Sequence, residues 1–122
     1  MDSIRVVFIS IPRDQANAFA KKLVEKRLAA CINIVPRIES YFWWDDAVQY
    51  DEETLLIVKT ANERFDQLMT FVKESHPYDL PEVISFDLAA GLPEYIEWIR
   101  RDLQRQQKAQ QDIHVQLVAV AL

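Results

Sequence analysis

A single glycine, a single cysteine and two histidines occur among 122 residues, and each scarcity closes a class of function. With Gly91 alone, neither the phosphate-cradling Walker loop nor the dinucleotide fingerprint can be built, because both need several glycines for close backbone approach. Tight hairpin turns through Asn-Gly or Asp-Gly are excluded for the same reason. Cys31 has no partner for an internal disulfide, so nothing calls for an oxidising compartment. No run approaches the roughly 20 apolar residues that span a bilayer. The opening MDSIRVVFISIP has too short an apolar core for a secretory signal. Positive charge is also short: 19 acids against 14 bases give a net charge of −5, with no basic cluster to neutralise phosphates. These absences lead us to expect a soluble cytoplasmic domain with no nucleic acid and no membrane as partner. Half of the residues are apolar, enough for one compact core.

What is present reads as alternating strands and helices. IRVVFISI (4–11) is a β-branched strand. Pro12 or Asp14 opens a helix to Leu28, with Ala16, Ala20, Leu23, Val24 and Leu28 on one stripe. CINIVPRIESYFWW (31–44) and VQYDEETLLIVKT (48–60) form a long hairpin turning at Asp45–Asp46–Ala47, with an irregularity at Pro36, which cannot donate to a ladder. Asn62 caps a second helix carrying Phe65, Leu68, Met69 and Val72, and His76-Pro77 ends it. Residues 82–88 make a fourth strand, and Pro93 starts a third helix with Ile96, Ile99 and Leu103 inward. The order βαββαβ, followed by a helix, is that of an α+β ferredoxin-like sandwich: an antiparallel sheet with two helices on one face. Its strands are apolar on both parities. Val6 and Phe8 oppose Val7, Ile9 and Ile11, so the face without helices calls for cover by neighbouring subunits in a closed ring.

On the stretches RLAACINIVPRIESYFWW (27–44), DEETLLIVKT (51–60), HPYDLPEV (76–83) and PEYIEWI (93–99), the chain resembles the CutA family, named for divalent-cation tolerance, over about residues 5 to 103. The resemblance implies a ferredoxin-like homotrimer similar in architecture to the PII signalling proteins, and an association with Cu2+ and other divalent cations. It brings no catalytic reaction. Copper-binding bacterial members use a cysteine at the end of the first strand and two histidines before Pro-Tyr; the matching positions here are Ser10, Ser75 and His76. One imidazole of that set is left, and serine is a poor copper ligand.

The remaining candidates each have a plainer reading. His76 is a metal ligand or a helix C-terminal cap. Cys31 is a nucleophile or a buried, inert thiol; no base neighbours it in sequence. Trp43, Tyr78 and Glu82 line an inter-subunit cleft or simply pack at an interface. The acids Asp45, Asp46, Asp51, Glu52 and Glu53 gather a hard cation or form a solvated turn. Lys59 binds an anion in the cleft or is an ordinary strand-end lysine. Without a credible nucleophile–base pair or spaced carboxylate pair, the chain is not expected to be an enzyme. Residues 1–103 form the CutA-like domain and 104–122 an extension. Its apolar IHVQLVAVAL end points to a partner protein or to stabilisation of the oligomer. The leading expectation is a metal-tolerance trimer with weak metal or small-ligand binding at its clefts. The alternative is a structural scaffold whose tail recruits a partner and whose metal site has decayed.

Overall fold

The computed structural model describes residues 3–104; the extension beyond Gln104, with the partner role expected of it, lies outside the described residues. Strand β1 (Ile4–Ile11) leads into helix α1 (Arg13–Glu25). The hairpin strands β2 (Cys31–Trp44) and β3 (Ala47–Ala61) follow. A short 3-10 turn (Asn62–Arg64) enters helix α2 (Phe65–Ser75), which is succeeded by strand β4 (Val83–Asp87). A third helix, α3, occupies 93–104. The sheet order is β2-β3-β1-β4 with every neighbouring pair antiparallel, the arrangement expected of a ferredoxin-like sandwich.

Alternation of side chains makes the two faces unequal. Val7, Ile9, Ile11, Leu56 and Val58 point to one side and are sealed by Ala16, Phe19, Ala20 and Leu23 of α1 and Leu68 and Val72 of α2. On the other side, α3 covers only one end, where Ile99 and Leu103 pack with Ile4, Ala30 and Ala61. Arg27 holds that helix through an ion pair to Asp102, and Arg64 donates to the Leu103 carbonyl at 2.9 Å. The remainder of this face is open: Ile84 is 48% and Phe86 51% exposed, with Phe8 against Phe86 edge-on at 5.2 Å.

Four local details depart from expectation, and three concern chain reversal or capping. Helix α1 stops at Glu25, three residues before Leu28, because Arg27 takes a left-handed φ of 57°. The amides of Arg27 and Leu28 then donate back to the carbonyls of Val24 and Leu23, a Schellman closure made without glycine. Asn62 caps nothing; its amide oxygen accepts from Arg5 Nε at 2.6 Å. Met69 is 41% exposed, so the buried stripe of α2 is narrower than its spacing suggests. The hairpin has the two-residue primed turn that the lack of glycine had excluded. Asp45 and Asp46 both adopt positive φ, 52° and 59°, between the paired Trp44 and Ala47. As anticipated, the ladder slips at Pro36, between Val35 and Ile38, and Thr54 donates its hydroxyl to the Pro36 carbonyl at 3.0 Å.

The strained turn gives a direct test. Replacing Asp45–Asp46 by Asn-Gly removes a left-handed cost of about 1 kcal/mol, so thermal unfolding should move to higher temperature. An unchanged or lower midpoint would mean that the two aspartates are not under backbone strain.

Candidate functional site

Helix α2 ends where Pro77 forbids the α region to the residue before it, and His76 is extended there at φ −75°, ψ 142°. This directs its ring inward, to 8% exposure, edge-on to Phe19 at 5.8 Å and beside Tyr78 at 4.9 Å. The backbone N–H of Tyr78 donates to Nδ1 at 3.1 Å, which requires that nitrogen to be unprotonated. Nε2 therefore carries the hydrogen and donates it to the Ser10 carbonyl at 2.7 Å. The ring thus ties the end of β1 to the connector 77–82, and both of its nitrogens are used in doing so.

The tie sets Tyr78. Its hydroxyl donates to Glu53 Oε1 at 2.9 Å, and the Ser40 hydroxyl donates to Oε2 at 2.9 Å. Glu53 is only 9% exposed. These groups sit in a cleft of about 890 Å3 between the connector and the projecting hairpin, lined also by Ser10, Tyr41, Trp43, Trp44, Asp51, Asp79 and Glu82. Further out, Tyr50 donates to Glu39 at 2.7 Å and Arg37 to Glu52 at 2.6 Å. Trp43 and Tyr41 stand 74% and 75% exposed near the tip of the arm.

The family model described as CutA1 divalent ion tolerance protein matches residues 5–102. The chain belongs to that family. It is 45% identical over 98 residues to the divalent-cation tolerance protein CutA of Thermus thermophilus, covering 80% of this chain and 95% of that one. To the chloroplastic CutA 1 of Oryza sativa it is 44% identical, over 78% of this chain but only 54% of the relative, about half its length. Among solved structures, CutA1 of Oryza sativa superposes with a TM-score of 0.80 at 40% identity, covering 82% of this chain and 93% of that one. The Archaeoglobus fulgidus protein, described as periplasmic, superposes with a TM-score of 0.77 at 36% identity over 84% of this chain and 99% of that one.

Ser10 and His76 meet, but through the serine's backbone carbonyl, and Ser75 is exposed at the end of α2. His76 has no free lone pair to offer. Among the described residues no three His, Cys, Asp or Glu groups gather to hold a metal. Cys31 lies elsewhere, half-buried at the start of β2, hydrogen-bonded to the Tyr95 hydroxyl. Lys59 pairs across the sheet with Cys31 and donates to Asn33 Oδ1. Trp43, Tyr78 and Glu82 line this cleft within one subunit, whereas Cys31 and Lys59 do not. Glu53 differs most from its expected role: grouped with the solvated acids of the turn, it is buried. Nothing in the sequence marked it, since its same-parity neighbour Leu55 is itself only half-buried.

Phenol groups record these surroundings. Burial first, then the hydrogen bond and charge of Glu53, raises the Tyr78 pKa well above the ordinary value. The bond to Glu39 chiefly pushes Tyr50 up to about 12. Folded values above the unfolded value mean that the associated stability is complete below about pH 10 and lost as pH rises past it. Alkaline absorbance titration should accordingly show Tyr50 and Tyr78 ionising late, with unfolding beginning only above about pH 10; normal titration of both would contradict the contacts to Glu39 and Glu53. His76→Ala leaves a buried amide and carbonyl unpaired and should cost about 2–4 kcal/mol in denaturant unfolding; a loss under about 0.5 kcal/mol would show that the ring is not a tie.

Proposed function

We propose that the chain acts, without catalysing a reaction, as a CutA-family homotrimer in the response to divalent cations, copper included, with weak metal or small-ligand binding at clefts between subunits. The observation that carries the assembly is the open sheet face with Ile84 and Phe86 half exposed, together with the bare aromatic arm. Apolar area of this kind on a lone subunit would favour association. A long hairpin projecting beyond its own sheet supports the reading, since it can lie over a neighbour's uncovered strands. The family membership supports the link to divalent cations. A cytoplasmic location belongs to this proposal and rests on the single cysteine; no helix among the described residues is long and apolar enough to cross a membrane.

His76 favours a second reading. With both ring nitrogens spent on Ser10 and Tyr78, the chain would serve as a scaffold whose metal site has decayed and whose tail recruits a partner. If metal does bind, the carboxylates of the cleft are better placed to hold it than the imidazole, and carboxylates suit hard cations better than copper.

Copper calorimetry on the purified oligomer, beside His76→Ala and Glu53→Gln, separates these readings. Light scattering on the same samples should give three times the 14.3 kDa chain mass. Saturable binding that survives loss of the imidazole and weakens with Glu53→Gln supports a carboxylate site at the cleft. No binding to a well-formed trimer supports the scaffold, and a monomer would sink both.

A further inference from the structure

One cation interrupts the apolar open side of the sheet. Strand pairing sets Cys31, Lys59, Val6 and Phe86 in one row across it, and Asn33, Ile57, Phe8 and Ile84 in the next. Lys59 is the single basic or acidic residue in these rows. It is half-buried, and its ammonium donates to the side-chain oxygen of Asn33, a neutral amide. None of the ion pairs among the described residues includes it. Its neighbour Cys31 is hydrogen-bonded to the Tyr95 hydroxyl, and Tyr95 in turn stacks on Trp98 at 5.8 Å, so this flank is neutral as well.

On a lone subunit such a lysine is simply wet. Once a neighbouring copy covers the face, water is withdrawn, and an ammonium answered only by an amide becomes costly. The covering surface therefore has to carry a carboxylate. The arm is acidic, but most of its acids are engaged within their own subunit. Glu39 accepts from Tyr50, Glu52 from Arg37, and Glu53 from Ser40 and Tyr78. Asp45 and Asp46 lie in the turn, where positive φ breaks the strand alternation. Asp51 is left: it is exposed, and its hydrogen bond is to the next backbone N–H, that of Glu52, at 2.9 Å. Along β3 it also has the parity of Lys59, which places both on the same side of the sheet. In a closed ring that turns this side of every sheet toward its neighbours, the two residues belong to opposing surfaces.

We propose that each arm delivers Asp51 to Lys59 of the next copy, forming an ion pair that neither residue makes within one subunit. This rests on the reading of the chain as a homotrimer and names the contact that fixes how one copy seats on the next.

Carbodiimide coupling, which joins an amine to a carboxylate in direct contact, tests it on full-length oligomer reassembled from isotopically heavy and light chains. The expected product is a Lys59–Asp51 link between a heavy and a light chain. Dilution followed by light scattering gives the second readout. Lys59→Met should raise the concentration at which the oligomer dissociates about tenfold, as loss of a charge-assisted contact requires. Lys59→Glu and Asp51→Lys should each weaken assembly, and the double variant carrying both should recover it, which loss of folding alone would not allow. A link confined to single chains, no link at all, or a double variant no better than the singles would overturn the proposal. Should the charge reversals fail to fold, the cross-link in the wild-type chain decides. A trimer that persists without the pair would defeat the pair and leave the assembly standing; a wild-type monomer would defeat both.

Discussion

Helices cover one side of this sheet and not the other, and most of the structure follows from that asymmetry. Four strands alternate large apolar side chains on both parities, yet α1 and α2 seal only the face of Val7, Ile9, Leu56 and Val58. Helix α3 shields the end around Ile4, Ala30 and Ala61 and leaves Phe8, Ile84 and Phe86 with solvent beside them. At about 25 cal/mol per Å2 of apolar area, covering such a face is worth several kcal/mol. The extended hairpin, the aromatic arm and the bulge at Pro36 that bends it become intelligible as parts of a surface meant for other copies.

The cleft is a by-product of the same layout. Because β2 and β3 run on past β1, the first strand ends beside the arm with its last carbonyls to be satisfied. His76 takes one of them and anchors the connector that bears Tyr78. That connector then forms a wall opposite the arm, with Glu53 at the base. One imidazole, with both nitrogens hydrogen-bonded, thus fixes one wall of the cleft.

Much of the fold was legible because its strongest signals are periodic. The β-branched run 4–11, the long alternating hairpin, Pro36 as an irregularity and His76-Pro77 as a helix stop all appear where their chemistry put them. Less legible were features in which a residue adopts an unusual backbone state without its usual marker. Arg27, Asp45 and Asp46 enter the left-handed region that glycine would have advertised. Asn62, a good cap by type, was claimed by Arg5, fifty-seven positions away in sequence. The site suffered from the same nonlocality. Tyr78 and Glu82 could be placed near a cleft from the motif, but the burial of Glu53 depends on Ser40 and Tyr78, which only the folded chain brings to it.

The central claim is that the open face and the arm are covered by neighbouring copies. Hydrogen exchange over residues 38–53 tests it most directly, because an isolated two-stranded ribbon is marginally stable in water. The account predicts slow exchange there, approaching that of the β1–β3 core, at concentrations where the oligomer persists. Exchange of the arm as fast as that of an unprotected hairpin, with β1 and β3 still slow, would contradict it.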